Sequence, residues 1–301
     1  MKVLISGGSG MVGSQLSPVL KSAGHELFYL VRRPSRRADE FAWDTVTGEV
    51  ELQKLEAAGE IHAFIHLAGE NIANSRWSAA QKARIYNSRV GSTEKLCRAL
   101  SSLSRPPSIY VGASAIGYYG NRGDEVLTEK SSAGTGFLAE TCVAWENAAS
   151  VVFNSNSRMS HLRFGVILSR NGGALKRMVP PFKAGLGGPL GTGRQWVSWI
   201  GIRDAVRAIH FVLEDEKAKG AFNVTAPEPV RNAEFSSELA QCLHRPAVFR
   251  TPAFVLRAAF GQMGSELLLG SARVIPERLS SARFEFEEPT LRGALEQELA
   301  H

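Results

Sequence analysis

The chain has 301 residues, is 44% hydrophobic and carries a net charge of +6, which suffices for one large α/β domain or for a cofactor domain with a smaller lobe. The charge excess is modest, and no basic run alternates with aromatic residues as a nucleic-acid surface would. Three widely spaced cysteines without a Cys-x-x-Cys pair indicate neither a disulfide framework nor a metal site. Without a signal peptide or a membrane-spanning apolar run, the sequence predicts a cytoplasmic protein with no membrane partner.

Strand and helix patterns alternate along the chain. Strands are predicted at residues 2–6, 26–32, about 40–44, 62–68, 108–114, 161–168 and 221–225. Helices are predicted at residues 11–24, 50–58, 78–104 (as one helix or two), 136–152, 203–215, 233–244 and 252–270. This alternation predicts an α/β fold with a Rossmann-type, doubly wound parallel sheet, in which ligands bind at the carboxyl ends of the strands.

The pattern also predicts a division into domains. Residues 1–170, completed by about 201–226, are expected to form the cofactor-binding domain. Residues 171–200 and 227–301 are expected to form a substrate lid and a smaller, mostly helical C-terminal substrate lobe. The lid is inferred from the glycines and prolines that residues 172–193 mix with apolar side chains.

The first strand runs into a glycine turn. Gly7, Gly10 and Gly13 give the spacing G-x-x-G-x-x-G, directly after a strand and before a helix. A helix start offers unpaired N–H groups, and glycines let a pyrophosphate approach them closely. The turn, with Met11 and Val12 inside it, therefore predicts dinucleotide binding; the alternative is an ordinary glycine-rich turn between strand and helix.

The second strand ends in a basic segment. Arg32 and Arg33 stand where an enzyme that uses NAD usually has an acid for the ribose 2′-hydroxyl, and no acid occurs before Asp39. Because the planar guanidinium group binds two phosphate oxygens at once, these arginines favour NADP(H). The alternative is a solvated basic loop.

Later strand ends carry further candidates. Leu67, Ala68 and Gly69 form a small-residue turn that suits a ribose or nicotinamide, and Arg89 lies where it would reach the cofactor, or else solvent. Another strand delivers Ser114 to the ligand edge, followed by Tyr118 and Tyr119 as catalytic candidates or as packing aromatic residues. His62 and His66 share one strand face without a carboxylate or cysteine partner, so they are interpreted as structural and no metal site is predicted.

Several motifs together resemble a known family. They are Gly7-x-x-Gly10-x-x-Gly13, Leu67-Ala68-Gly69-Glu70-Asn71, Gly117-Tyr118-Tyr119-Gly120, Trp145-Glu146, Gly191-x-Gly193-Arg194-Gln195 and Trp199-Ile200. They resemble the extended or atypical short-chain dehydrogenase/reductase superfamily and, within it, the nucleoside-diphosphate-sugar-epimerase-like proteins of the SDR39U1-type epimerase family. The resemblance covers essentially the whole chain. It implies NADP(H) bound by residues 7–13, Arg32, Arg33, Leu67, Ala68, Arg89 and the strand end near Ile167.

The substrate is expected between the lid and the C-terminal lobe. Arg194 and Trp199 suit an anion and a ring, as in a nucleotide sugar; the alternative places the tryptophan in the core and the arginine in solvent. Arg163, with Glu70 and Asn71 beyond the small-residue turn, completes the predicted substrate set. An apolar helical stripe in the lobe is compatible with a monomer or a homodimer.

The usual proton-transfer pair of short-chain dehydrogenases is missing. None of the five tyrosines has a lysine four residues later, and Leu138 and Cys142 occupy the positions of the pair when counted back from Glu146. One hypothesis is an NADP(H)-dependent oxidoreductase or epimerase-like enzyme in which Tyr118 or Tyr119 replaces the usual acid. The other is a protein that binds NADPH without turnover, as a sensor or regulator.

Overall fold

The computed structural model describes residues 1–150 and 157–300. In this part of the chain the strands are β1 (Lys2–Ser6), β2 (Glu26–Val31), β3 (Glu40–Ala42), β4 (Ala63–His66), β5 (Ile109–Ala115), β6 (Val126–Leu127), β7 (Arg158–Phe164), β8 (Val166–Ser169), β9 (Trp196–Val197), β10 (Trp199–Gly201), β11 (Gly220–Val224), β12 (Val230–Arg231) and β13 (Arg273–Val274). The α-helices are α1 (Met11–Ser22), α2 (Leu52–Ala57), α3 (Ala79–Asn87), α4 (Val90–Ser101), α5 (Phe137–Ser150), α6 (Gly173–Lys183), α7 (Ile202–Glu214), α8 (Asn232–Cys242), α9 (Ala253–Phe260), α10 (Glu277–Ser281) and α11 (Leu291–Leu299).

Seven strands form the central sheet, in the order β11-β7-β5-β4-β1-β2-β3. Every neighbouring pair is parallel, which confirms the predicted Rossmann-type sheet. The strand order changes direction between β1 and β4, because the chain first builds outward to β3 and then returns. A crevice therefore opens above the carboxyl ends of β1 and β4, where ligands bind in folds of this kind.

Both faces of the sheet are covered. Alternation along β1 sends Val3 and Ile5 into a cluster with α1 and α7, and it sends Leu4 into a second cluster with α4. A third cluster joins β8, α6, α8 and α11, around Leu168. The C-terminal part is mostly helical, and its side chains continue the core of the sheet domain.

The observed elements differ from the predicted ones in several places. The predicted strand 161–168 is two strands, since β7 belongs to the central sheet and β8 pairs with β10. Of the two alternatives for residues 78–104, the structure has two helices, which meet at Ser88–Arg89. The predicted helix 252–270 ends at Phe260, before Gly261 takes φ +60°. Of the predicted helix 136–152, residues 151–152 lie outside the described part.

The predicted lid contains a helix. Glycines and prolines favoured a loop over residues 172–193, yet α6 spans Gly173–Lys183 and includes Pro180 and Pro181 near its end. Leu175 and Phe182 are buried on one of its faces, against the third core cluster. Tertiary burial of this stripe outweighs the local turn preference.

Asp204 lies inside the first turn of α7 and does not cap this helix. The helix α7 begins at Ile202 with Gly201 as N-cap. The Asp204 carboxylate instead accepts the main-chain N–H groups of Glu287 and Glu288 at 3.0 and 2.9 Å and pairs with Arg207 at 2.9 Å. It therefore holds the C-terminal segment against α7.

Across residues 1–150 and 157–300, no helix combines the length and the apolar character required to cross a bilayer.

Candidate functional site

The glycine turn has the geometry of a phosphate cradle. Gly7 takes φ +74°, and a Cβ atom added there would lie 2.8 Å from the main-chain carbon of Leu67. A Cβ atom on Gly13 would lie 2.4 Å from the Gly7 carbonyl oxygen. Gly10 is the N-cap of α1 and offers no capping side chain, so the first N–H groups of the helix face the crevice unshielded. The turn therefore accepts an anion and excludes any larger residue at Gly7 and Gly13.

Two further predicted cofactor residues lie against the start of α1. Met11 packs on the turn before α6, with its sulfur 3.0 Å from where a Cβ of Gly172 would stand. Ile167 lies in the same place, since its carbonyl oxygen is 3.5 Å from the corresponding position of Gly173. Val12 is half-buried beside them in the core cluster of α1. The α6 turn thus closes one end of the crevice.

The basic segment is organised by a buried carboxylate. Arg33 forms two hydrogen bonds of 2.8 Å with Glu40, whose side chain is 4% exposed, and Arg37 approaches the same carboxylate at 3.2 Å. The hydrogen bonds from Arg33 and from the main chain of Arg36 lower the pKa of Glu40 to about 2. Arg33 is therefore fixed in place, and Arg32 is exposed at the end of β2.

Arg89 is a candidate cation beside the small-residue turn. It lies at the start of α4, and its guanidinium carbon is 3.5 Å from where a Cβ of Gly69 would stand and 5.2 Å from the centre of the Trp145 ring. Burial lowers the pKa of this group, although the nearby charges of Cys142 and Glu70 oppose that effect. A half-buried arginine whose hydrogen bonds, to Ile85 and Ser88, are both 3.4 Å long is suited to an anionic ligand.

His62, just before β4, and His66, at its end, both form hydrogen bonds within the fold. The His66 ring is buried, with Ser6 at 2.5 Å on one side and Thr93 at 2.9 Å on the other, and burial lowers its pKa to about 4. His62 is exposed and accepts the main-chain N–H of Lys2 at 3.1 Å. His66 thus acts as a neutral tie between strand and helix.

Ser114 does not face the crevice. It is 3% exposed, and its hydroxyl donates a 2.6 Å hydrogen bond to Glu146. Glu146 also accepts two hydrogen bonds of 2.8 Å from Arg163. Burial alone would raise the pKa of Glu146, but the bonds and charge of Arg163 outweigh it, so the net shift is downward. The Ser114 proton is thus committed to a carboxylate in this conformation, and a catalytic role for Ser114 stays a prediction.

Arg163, predicted to bind substrate, belongs to the same buried network. It is 5% exposed and donates to the Tyr119 hydroxyl at 3.0 Å. Tyr119 is fully buried and donates in turn to Asn223 at 2.7 Å. Both side chains are therefore engaged within the fold, as the packing alternative for Tyr119 describes, and the substrate contact of Arg163 stays a prediction.

Tyr118 remains as the accessible member of the predicted catalytic set. Its ring is half-buried and lies on the Arg163 guanidinium, whose carbon is 3.4 Å from the ring centre. The ring also meets Tyr119 edge to face at 5.2 Å. Tyr118 is therefore held by stacking, beside a fixed positive charge.

The expected proton-transfer positions are apolar in three dimensions as well as in sequence. Leu138 and Cys142 on α5 lie 3.3 and 3.7 Å from where a Cβ of Gly117 would stand, directly after β5. Burial raises the pKa of Cys142 to about 11, so its thiol stays protonated at neutral pH. The wall that normally carries the tyrosine and lysine therefore has neither a phenol nor an amine at these two positions.

Trp199 is buried in the core, whereas Arg194 is exposed beside a cavity. Trp199 is fully buried in the third core cluster, and its indole N–H donates to the Glu228 carbonyl at 3.1 Å, so its predicted place in the cleft is wrong. Arg194 is exposed and lines a cavity of about 570 Å³ with Asp124 and Arg231. Arg231 pairs with Asp124 at 2.7 Å.

An aromatic residue stands beside this cavity. Trp196 has Arg231 over its ring at 4.0 Å and Arg273 at 4.4 Å. The cavity and this cluster offer an anion site next to a flat ring. Trp196 therefore lies where the sequence analysis expected the ring of Trp199, beside the cavity.

Glu70 and Asn71 follow the small-residue turn. The main-chain N–H of Glu70 donates to Ser88 at 3.0 Å, and the exposed Asn71 side chain accepts from the main chain of Ala73 at 2.9 Å. Both shape the loop between β4 and α3. Their contact with a substrate stays a prediction.

Sequence reasoning missed the residues that hold the site together. Glu146, Glu40, Asn223 and Arg231 each bind a predicted site residue or its neighbour. The signal for Glu146 was present, because a strand arginine such as Arg163 in a buried sheet requires a carboxylate partner. Asn223 and Arg231 come from distant parts of the chain and carried no local signal.

Comparisons with known proteins agree with this architecture. The model of the NAD dependent epimerase/dehydratase family matches residues 3–225, and a domain of unknown function, DUF1731, matches residues 251–298. The epimerase family protein Mb2239 of Mycobacterium bovis is 41% identical over 293 residues, which cover 97% of this chain and 96% of that protein.

Solved structures extend the likeness. The crystal structure of human epimerase family protein SDR39U1 (isoform 2) with NADPH is 31% identical, with a TM-score of 0.90 and coverage of 100% of both chains. The structure of MoeE5 in complex with UDP-glucuronic acid and NAD is 20% identical, with a TM-score of 0.78 and coverage of 100% of this chain and 98% of that one. The second likeness concerns the fold.

Proposed function

Because the chain belongs to the NAD dependent epimerase/dehydratase family, we propose that it binds NADP(H) in the crevice above β1 and β4. We further propose that it is an NADP(H)-dependent oxidoreductase or epimerase-like enzyme acting on a small, nucleotide-sugar-like molecule. The observation that carries the cofactor assignment is the cradle at Gly7 and Gly13, where a Cβ atom would meet main-chain atoms at 2.8 and 2.4 Å.

The basic segment supports NADP(H) over NAD(H). Arg32 is exposed at the end of the strand next to β1, and Arg33 beside it is oriented by Glu40. In this position an arginine pair suits a ribose 2′-phosphate. The NADPH in the human SDR39U1 crystal structure supports the same assignment.

The cavity near Arg194 supports an anionic substrate. It is lined by Arg194 and by the Arg231–Asp124 pair, with the Trp196 ring beside them, so Arg194 is the cation without a carboxylate partner among these residues. A diphosphate and a base or sugar ring match these features. MoeE5, which shares the fold, was crystallised with UDP-glucuronic acid.

Tyr118 is the candidate proton donor. Bound NADP(H) supplies or accepts a hydride at its nicotinamide carbon. The chain would then have to exchange one proton with the substrate oxygen, and Tyr118 is the predicted acid that is not fully buried. The Arg163 guanidinium, 3.4 Å from the centre of the Tyr118 ring, holds this ring in place.

The second candidate is a protein that binds NADPH without turnover and reports its presence. It is favoured by Ser114, Leu138 and Cys142. The serine is bonded to Glu146, and the other two leave an apolar wall beside Gly117.

One assay separates the two candidates. Under single-turnover conditions, NADPH oxidation would be followed with simple carbonyl compounds and NADP⁺ reduction with UDP-sugars, for the natural chain and for Tyr118→Phe. Turnover that falls about 100-fold or more in Tyr118→Phe, with unchanged NADPH affinity, supports the enzyme. Tight NADPH binding without turnover on any compound supports the second candidate, and turnover that is equal in both chains contradicts the role of Tyr118.

The composition and charge of the sequence support a proposal for the location and the partners of the protein. We propose a cytoplasmic protein that acts on a small molecule, as a monomer or a homodimer, and that binds neither nucleic acid nor a membrane.

A further inference from the structure

Three metal-ligand side chains converge far from the crevice. His25 lies in the turn between α1 and β2, and His210 and Glu214 lie in the last turns of α7. One ligand atom from each residue lies within 4.8 Å of the other two. The group sits at the edge of the sheet where β2 begins, whereas the glycine turn sits at the carboxyl end of β1.

The fold brings these residues together. His210 and Glu214 are four residues apart on a helix and therefore share one face. The helices α1 and α7 pack on the same side of the sheet, through Leu20 and Ile209 among others. This packing places the turn after α1 beside the end of α7, which puts His25 opposite the other two side chains.

His25 is oriented but not satisfied. Its side chain is 5% exposed, and its Nε2 atom lies 3.1 Å from a carboxylate oxygen of Glu214. That atom is buried and has no aligned hydrogen bond. Its Nδ1 atom lies 3.4 Å from the main-chain nitrogen of Met1, and its ring meets His210 edge to face at 5.9 Å. A buried ring nitrogen that faces a carboxylate without an aligned hydrogen bond is open to a further partner between the two groups.

We propose that His25, His210 and Glu214 bind one Zn²⁺ ion, with water as the fourth ligand. Two imidazole nitrogens and one carboxylate oxygen are a common zinc ligand set. With zinc–ligand distances of about 2.0–2.2 Å, tetrahedral geometry separates the ligand atoms by roughly 3.3–3.6 Å. The 3.1 Å contact between His25 and Glu214 is close to this value. Glu214 is half-exposed, so its side chain adjusts freely and leaves a path for the ion.

The ion would act as a clamp. It would tie the turn that precedes β2 to the end of α7, two segments that are far apart in the sequence. Since the group lies at the opposite end of α1 from the glycine turn, the ion is expected to raise the melting temperature without changing the affinity for NADPH.

The test uses the full chain, produced without a histidine tag and treated with a chelator. Zn²⁺ binding would be measured by titration calorimetry and by the rise in melting temperature, and Co²⁺ binding by its visible absorption. The variants are His210→Gln and Glu214→Gln. The control is His244→Asn, since His244 is exposed and takes a φ of +52° that asparagine also adopts.

The expected result is one ion per chain, with tetrahedral Co²⁺ absorption, lost in both variants and kept in the control. No saturable binding by the natural chain would overturn the proposal. Binding that persists in both variants, or that is lost in His244→Asn, would also overturn it, because the ion would then sit on other side chains.

Discussion

The Glu146–Arg163 pair is expected to be a large single contribution to stability. The two side chains are 12% and 6% exposed, and the carboxylate accepts hydrogen bonds of 2.6, 2.8 and 2.8 Å from Ser114 and Arg163. Glu146→Gln keeps the shape but leaves a buried guanidinium without its counter-charge. Removing one partner of a buried pair typically costs about 3–5 kcal/mol. Because glutamine still accepts one or two of these bonds, we expect about 3 kcal/mol.

Urea unfolding at 25 °C measures this loss, provided that the slope with denaturant is unchanged. Glu94→Gln is the matched control, since Glu94 forms an exposed 2.7 Å pair with Arg98 on α4. That variant should lose no more than about 0.5 kcal/mol. In the double variant Glu146→Gln/Arg163→Met no charge remains buried, so its loss should be smaller than the sum of the two single losses by about 2 kcal/mol.

The same pair predicts a pH dependence. The pKa of Glu146 is lower in the folded chain than its usual 4.5. Its contribution is therefore fully present above pH 4.5 and is lost as the pH falls through the folded pKa. A loss below about 1 kcal/mol in Glu146→Gln, or single losses that simply add in the double variant, would refute this account of the buried pair.

Three further outcomes are expected. Burial and the charge of Asp204 raise the pKa of Glu288 to about 7, so the folded chain holds a proton that the unfolded chain loses, and stability falls as the pH rises from 4.5 to 7. Glu288→Gln should therefore be more stable than the natural chain in urea unfolding at pH 8. Equal stability of the two chains would contradict the raised pKa. Glu266 accepts the first main-chain N–H groups of α5 at 3.3 and 3.1 Å, so Glu266→Ala should cost about 1 kcal/mol in the same assay, and no loss would show that the cap is not used. Gly13→Ala should lose NADPH binding and stability. The control Gly91→Ala, in which the new Cβ meets only one atom, at 4.0 Å, should be neutral or stabilising by up to about 1 kcal/mol. A Gly13→Ala variant that keeps NADPH binding and stability would contradict the close packing described for the glycine turn.

The sequence was sufficient to predict those parts of the fold that depend on residues close together in the chain. The seven strands of the central sheet and the turn at Gly7 follow from apolar runs and glycine spacing, both of which are set by residues close together in the chain. The cofactor candidates lie around the crevice for the same reason, because parallel strands bring their carboxyl ends to one edge.

Sequence was not sufficient for the side chains that face inward from the crevice wall. Ser114 and Tyr119 have the residue types of catalysts, but their partners are Glu146 and Asn223, which lie 32 and 104 residues away. Trp199 was assigned to the cleft by type, and the fold buries it while placing Trp196 beside the cavity. Alternation along a strand decides which face a side chain takes, and one residue of register changes the answer.

The central claim is that the crevice binds NADP(H) and selects it through the arginines after β2. The most direct measurement is the titration of the purified chain with NADPH and with NADH, followed by melting temperature and calorimetry, for the natural chain and for Arg32→Ala/Arg33→Ala. A ligand at 100 times its dissociation constant adds about 2.7 kcal/mol, which is readily measured. Charge-assisted bonds to the 2′-phosphate are worth about 1.5–3 kcal/mol, so NADPH should bind roughly 10- to 100-fold more tightly than NADH. The account predicts this preference in the natural chain and its loss in the variant; equal affinity for both cofactors in the natural chain, or an unchanged preference in the variant, would contradict it.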